Sequence, residues 1–229
     1  MIKFVFLDLD DTIFDFHKAE AIALSGMLGE IGVDPTPERI ERYSEINSAC
    51  WKKLERKEMT RDEVLVERFR LFFLEFGIDA PPSVARHIYE KRLGIGHYFM
   101  DGAEELLRTL YGKYRLFLAS NGTAAVQKGR IDSSGIARFF EEIFVSQTVG
   151  YNKPSKEFFY HCFGKIDRFD KSQAIIVGDS LSSDILGGKN AGIKTCLYNP
   201  KMKENKTDIV PDFEINNLCE LPPLLEKIQ

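Results

Sequence analysis

Two hydrophobic rhythms divide this chain. Short apolar runs recur at Ile2–Leu7, Leu116–Ala119, Ile143–Ser146, Ala174–Gly178, Thr195–Tyr198 and Phe213–Ile215. They are largely apolar and show no sustained alternation, which predicts strands buried on both faces of a parallel sheet. Helical stretches over about 103–112, 123–134, 155–165 and 182–191 lie between most of them. Strands alternating with helices in this way predict a doubly wound, Rossmann-like α/β fold. From about 15 to 98 the rhythm changes. Leu24, Met27, Leu28 and Ile31 fall at helical spacing, as do Leu65, Phe69, Phe72 and Phe76, and Pro35, Pro37, Pro81 and Pro82 punctuate them. With no strand signal there, the stretch reads as an all-helical insertion between the first and second strands, its aromatics serving mainly as core.

Composition narrows the function classes. At 229 residues the chain has room for one large domain or a domain with an insertion, and 44% hydrophobic with 29% charged residues is ordinary for a soluble globular protein. A net charge of -4 argues against nucleic acid as a main partner, because phosphate backbones require a basic face. No apolar run approaches the roughly 18 residues that span a bilayer. The one candidate for a signal segment is interrupted by Asp8, Asp10 and Asp11. Cys50, Cys162, Cys196 and Cys219 are far apart and form no C-x-x-C pair. They are expected to be buried thiols in a reducing cytoplasm, not a zinc site or a disulfide framework.

Candidate chemistry gathers at predicted strand ends. Asp8 and Asp10, with Thr12, close the first run; Ser120-Asn121-Gly122 follows the second; Lys153-Pro154 follows the third after a short loop; Gly178-Asp179-Ser180 ends the fourth, with Asp184 a turn later. In a parallel sheet all four meet at one edge, where open α/β sheets bind ligands. Clustered carboxylates repel unless a cation lies between them or one is protonated. Hard oxygen ligands suit Mg²⁺. A carboxylate can attack phosphorus, a second can trade the proton, and hydroxyl, amide and ammonium donors can hold phosphoryl oxygens. Each piece also has an ordinary structural use: Ser-Asn-Gly is a common turn, and an Asp after a strand is a common helix cap. Their order and shared placement favour the site. Asp11 is expected to support a turn or cap.

Asp-Leu-Asp-Asp-Thr at Asp8–Thr12, Ser-Asn-Gly at Ser120–Gly122, Lys153-Pro154 and Gly-Asp-Ser-x-x-x-Asp at Gly178–Asp184 resemble, in this order, the four motifs of haloacid dehalogenase-like hydrolases. The likeness covers nearly the whole chain. It implies an α/β core of residues 1–14 and 99–229 and a movable helical cap of residues 15–98. It implies Asp8 as nucleophile, Asp10 as general acid/base, Lys153 as the charge that steadies them, and Ser120, Asn121 and Gly122 as the phosphate-binding turn. It further implies a Mg²⁺ site of Asp8, Asp179, Asp184 and the main-chain carbonyl of Asp10.

Within that family, Thr12–Phe16, Val145–Gly150 and Gly178–Ile185 with Gly187–Gly192 are similar to the pyrimidine 5′-nucleotidase branch. The expectation is a cytoplasmic phosphatase, monomer or homodimer, for a small phosphorylated metabolite, most plausibly a nucleoside 5′-monophosphate.

Other readings compete. Phosphoglycolate or sugar phosphates are alternative substrates. A 2-haloacid dehalogenase shares the nucleophile but typically lacks the second Asp. A receiver-like signalling module combines similar residues in a shorter chain whose phosphoacceptor follows a later strand. His17, His87, His97 and His161 share no metal spacing. Phe16 and His17 are expected near the mouth of the site, Trp51, Lys52 and Arg56 on an insertion helix, mainly in packing or solvated roles, and Lys201–Lys206 in an exposed loop.

Overall fold

The structure is a computed structural model and describes residues 1–228. Six strands form one sheet: β1 (Phe4–Leu7), β2 (Arg115–Ser120), β3 (Glu142–Val145), β4 (Ala174–Gly178), β5 (Lys194–Tyr198) and β6 (Phe213–Ile215), in the order β3-β2-β1-β4-β5-β6. Every pairing is parallel. The chain builds outward from β1 to β3, then crosses back to lay β4 on the other side of β1. The β1/β4 junction is therefore the topological switch point, where a crevice opens beyond the strand ends.

Pleating sends alternate residues of β1 to opposite faces. Val5 and Leu7 join a cluster with Leu106, Leu107 and Leu110 of α5 (Ala103–Leu110) and Leu221 and Leu225 of α10 (Leu221–Lys227). Phe4 and Phe6 pack with Phe158, Phe159, Cys162 and Phe163 of α8 (Lys156–Lys165). Burial on both faces is why these runs read as unbroken hydrophobics. The edge strand β6 departs from that expectation: Glu214 is exposed and accepts from Asn199 Nδ2 at 2.8 Å.

Between β1 and β2 lie α1 (Phe16–Glu30), α2 (Pro37–Glu55), α3 (Arg61–Phe76) and α4 (Pro82–Leu93). Their starts are capped by Asp15, which accepts from Lys18 N at 2.8 Å, and by a Thr60/Glu63 capping box. α3 stops at Gly77, whose φ of 62° suits a residue without a Cβ. Leu24, Met27, Leu28, Tyr43, Phe69, Phe72 and Tyr89 give the four helices a hydrophobic core of their own. At about 1.5–3 kcal/mol for each large side chain buried, that core holds the insertion together. Phe76 and Ile31, expected within it, are only half-buried and pack at its edge.

Three further expectations need correction. The helix expected over 182–191 divides into a π-helical turn, Leu181–Ile185, and α9 (Leu186–Ala191), because Ser180 caps the turn and draws Asp184 towards β4. The helix expected to run to 112 stops at Leu110, before Gly112 at a φ of 78°. Cys50, Cys162 and Cys196 are buried, but Cys219 is exposed, since Leu218 and Leu221 take the inward positions of its turn. Among the described residues, no helix is long and apolar enough to cross a membrane.

Candidate active site

The β1/β4 junction carries the acidic residues. Asp8 N donates to Val177 O at 2.9 Å, extending the ladder one residue beyond β1 and fixing the Asp8 side chain in the crevice. Lys153, 1% exposed, reaches in from the loop after β3. Its Nζ donates to Asp8 Oδ1 at 2.5 Å, to Asp184 Oδ1 at 2.6 Å and to Ala119 O at 2.6 Å. Asp184 Oδ2 accepts from Ser180 N at 3.2 Å. A Cβ at residue 178 would run into the Asp184 carboxylate, so glycine there is what lets the carboxylate approach the strand end.

One ammonium thus faces several carboxylates. Burial pushes Asp8 up to about 8, against the pull of Lys153 and with Asp184 and Asp10 adding to the rise. Burial opposes the charge on Lys153, but Asp184 and Asp8 outweigh it and hold the ammonium above its usual value. Asp179 has a side chain open to solvent on one side. Its recess in the crevice, then Asp8, Asp184 and Asp11, push it well above the ordinary carboxylate value. Oxygens of Asp8, Asp179 and Asp184 lie within 4.8 Å of one another. A set of hard oxygen donors with uncompensated negative charge fits a divalent cation such as Mg²⁺. The carboxylate of Asp10 is not one of this trio, in keeping with the expectation that only its main-chain carbonyl faces the metal.

Asp10 is held from the other side by α6 (Ala124–Ser134). Arg130 Nη1 donates to Asp10 Oδ1, and Gln127 Nε2 donates to Asp10 Oδ2 at 2.6 Å. Arg130 is fully buried, stacks against Phe14 and Phe16, and donates through Nε to Gly96 O at 2.8 Å.

The turn after β2 is tightly wired. Ser120 Oγ accepts from Gly122 N at 3.1 Å and from Gln127 Nε2 at 2.8 Å. The Asn121 side chain is committed to the Lys153 main chain, donating to Lys153 O and accepting from Lys153 N, both at 2.9 Å. It therefore aligns the lysine loop, which leaves its main-chain amide for a ligand. Asp11 adopts a φ of 57° and accepts from Phe16 N at 3.0 Å, the turn support expected of it.

The insertion closes the chamber. Arg61, at the start of α3, donates to Asn121 O at 3.0 Å, Gly122 O at 2.7 Å, Ser146 Oγ at 2.6 Å and the Asn152 side chain. Ser182 Oγ donates to Glu55 Oε2 at 2.9 Å. The cavity between them, about 250 Å³ and partly open to solvent, is lined by Asp8, Asp10, Lys153 and Asp179 at one end and by Phe16, Trp51 and Arg68 at the other. Ser120 lies outside this lining, behind Gly122. Lys52 and Arg56 face solvent, His17 is exposed near Asp11, and Lys201–Lys206 is exposed. Arg130, Gln127, Arg61 and Arg68 were not singled out by the motifs. Only Arg61 carries a local signal, since a cation in the first turn of a helix opposes the helix dipole.

The haloacid dehalogenase-like hydrolase family model matches residues 5–198. The chain is 39% identical over 218 residues to the HAD-hydrolase YfnB of Bacillus subtilis, covering 95% of this chain and 93% of that protein. The crystal structure of YfnB, described as bound to magnesium and as revealing interdomain movement, superposes with a TM-score of 0.93 at 38% identity, covering 98% of each chain. The chain is also 36% identical to the pyrimidine 5′-nucleotidase PynA of Streptococcus pneumoniae, covering 98% of this chain and 95% of that one. It is 28% identical to the pyrimidine 5′-nucleotidase YjjG of Escherichia coli, covering 97% of each.

Proposed function

The chain belongs to the haloacid dehalogenase-like hydrolase family, near its pyrimidine 5′-nucleotidase branch, and we propose that it is a Mg²⁺-dependent phosphatase acting on a nucleoside 5′-monophosphate. It is a phosphoric monoester hydrolase. The observation that carries it is the separation of Asp8 from Asp10. Asp8 shares Lys153 with Asp184 beside Asp179, while Asp10 is bonded to Gln127 and Arg130 on α6.

In this reading Asp8 attacks phosphorus in line with the departing oxygen, and an aspartyl phosphate forms as the ester bond breaks. Asp10 gives its proton to the leaving alkoxide. It then takes a proton from water, which attacks the same phosphorus, releases phosphate and regenerates Asp8. Lys153 steadies the charge at Asp8, and the main-chain amide of Asn121 holds a phosphoryl oxygen where charge collects. Mg²⁺, held by Asp8, Asp179, Asp184 and the Asp10 carbonyl, would offset repulsion between the nucleophile and an anionic phosphate.

The division into a core of 1–14 and 99–229 and a cap of 15–98 belongs to the same proposal. So does a cap that closes to exclude bulk water and opens to release product. The cytoplasmic setting, and a monomer or homodimer, complete it.

A screen of nucleoside, sugar and glycolate phosphates, with Mg²⁺ and with a chelator, tests the reading. Phosphate release from nucleotides that stops on chelation is expected. Activity undiminished by chelation, or activity only on haloacids, overturns it.

A further inference from the structure

Arg68 is a buried cation with few partners. It lies on α3, 3% exposed, and donates one hydrogen bond, from Nη1 to Asn47 Oδ1 at 3.1 Å. Nη2 is 3.6 Å from Glu90 Oε1, beyond hydrogen-bond reach, and Nε has no partner. A guanidinium offers five N–H donors, and burying them unpaired is costly. The fork is nevertheless held still. Its Cζ lies over the rings of Phe69 and Tyr89, 5.0 and 4.9 Å from their centroids. Asn47 is itself fixed by Glu20 at 2.7 Å, and Glu90 by Arg86 at 3.0 Å. A pre-positioned, under-bonded donor of this kind suits an acceptor brought by a ligand.

Arg68 lies in the wall of the cavity that contains Asp8 and Lys153, at the insertion end, among Phe16, Trp51, Leu54, Leu65 and Leu93. The departing group of a phosphate ester bound at Asp8 extends into this end. Glu55 and Glu90 also line the cavity, but its wall is mostly apolar and leaves most hydroxyls of a polyol unpaired, which disfavours a sugar phosphate. They suit the faces of a planar ring, and Arg68 suits a carbonyl at its edge.

We propose that Arg68 is a specificity-determining residue, donating to a ring carbonyl of a pyrimidine base in the leaving nucleoside. This rests on the phosphomonoesterase reading and adds to it the residue that holds the base. Uracil and cytosine share the carbonyl between their two ring nitrogens, so uridine and cytidine monophosphates are both accepted.

The test compares the full-length protein with Arg68→Met and Arg68→Lys on uridine and cytidine 5′-monophosphates, ribose 5-phosphate and p-nitrophenyl phosphate. Arg68→Met is expected to lower kcat/KM for both nucleotides about 10- to 100-fold, the range for losing a charge-assisted hydrogen bond. On ribose 5-phosphate and p-nitrophenyl phosphate the change is expected to stay within about threefold, which also shows that the variant is folded. Arg68→Lys keeps a charge beside Asn47 and Glu90 but loses the fork. It is expected to lose most of the preference for nucleotides over ribose 5-phosphate, and it decides the matter if the Met variant does not fold. An equal loss on all four substrates, no loss on any, or a loss confined to ribose 5-phosphate overturns the proposal. If the unmodified protein turns over ribose 5-phosphate but neither nucleotide, the nucleotidase reading itself falls. If it turns over nucleotides and the variants keep the preference, only the role of Arg68 falls.

Discussion

Arg130 donates from α6 to Asp10 at the end of β1, pairing a fully buried guanidinium with a half-buried carboxylate. The same Arg130 donates through Nε to Gly96 O, in the segment that returns from the helical insertion to the α/β core. It therefore ties the proposed acid/base to the segment that leaves the insertion. Arg130→Met removes both bonds, and a third from Nη1 to Gln127 Oε1 at 3.0 Å, but leaves Gln127 Nε2 on Asp10. Breaking a fully buried pair costs about 3–5 kcal/mol; with Asp10 partly open to water the loss is expected nearer about 2–3 kcal/mol. For a chain of this size that lowers Tm by roughly 5–10 °C. Thermal unfolding checks this, and an unchanged Tm would show that the pair contributes nothing net.

Asp10→Asn separates chemistry from structure at the same place. The amide keeps an acceptor oxygen for Arg130 or Gln127 but carries no exchangeable carboxyl proton. Turnover is expected to fall about 10²- to 10⁴-fold, the usual cost of losing a general acid/base. The loss should shrink for p-nitrophenyl phosphate, whose leaving group needs no proton. Steady-state rates on an alkyl and an aryl phosphate ester read the difference, and equal losses on both would rule out protonation of the leaving group as the step that Asp10 limits, leaving the water attack that the two esters share.

Asp8→Asn should leave a folded, inactive protein. Lys153 keeps Asp184 and Ala119 O as partners, and the variant sheds one of the carboxylates crowded around a single ammonium. Stability is expected to hold or rise. Phosphate release is expected to drop by more than about 10⁴-fold, as for removal of a nucleophile elsewhere. Activity within tenfold of the unmodified protein would end the case for Asp8 as the attacking group.

Asp179 is the most solvent-open of the three clustered carboxylates, so Asp179→Asn is the mildest way to weaken a cation site there. Residues that merely support metal ligands cost 10- to 100-fold in affinity when lost. A ligand itself should cost at least about 10-fold, seen as a rise in the Mg²⁺ concentration giving half-maximal activity. Titration of Mg²⁺ into chelator-treated protein gives this value. An unshifted curve would place the cation elsewhere.

The convergence of Asp8, Lys153 and Asp184 was legible because strand ends have a local signature and a parallel sheet aligns them. The partners of Asp10 were not. Gln127 and Arg130 are one turn apart on a helix, which in sequence is indistinguishable from a solvated polar face. They are buried by Phe14, Phe16 and Gly96, residues that reach α6 only in the folded chain. The π-helical turn that carries Asp184 has the same origin: it depends on how closely a carboxylate passes the Cα of Gly178. Glu214 was misjudged for a different reason, since an edge position is a property of strand order and not of the strand.

Glu20, 2% exposed on α1, makes stability depend on pH far from the acidic crevice. Burial pushes its carboxyl above the ordinary value, outweighing hydrogen bonds from Ser44 and Asn47 and the attraction of His17 and Arg68. Below about pH 4.3 both the folded and the unfolded chain hold the proton, and Glu20 is neutral to stability. As pH rises, the unfolded chain releases its proton first, so stability falls through the window between that value and the raised value of the folded state, then stays at the lower level. Glu20→Gln keeps an acceptor for Asn47 Nδ2 and cannot ionise. The variant should therefore match the unmodified protein near pH 4 and exceed it near pH 8, with the gap opening as pH rises. Urea midpoints across this range measure the gap. A gap that opens the other way, with Glu20→Gln the weaker protein at pH 8, would mean that the charged carboxylate is net stabilising beside Arg68.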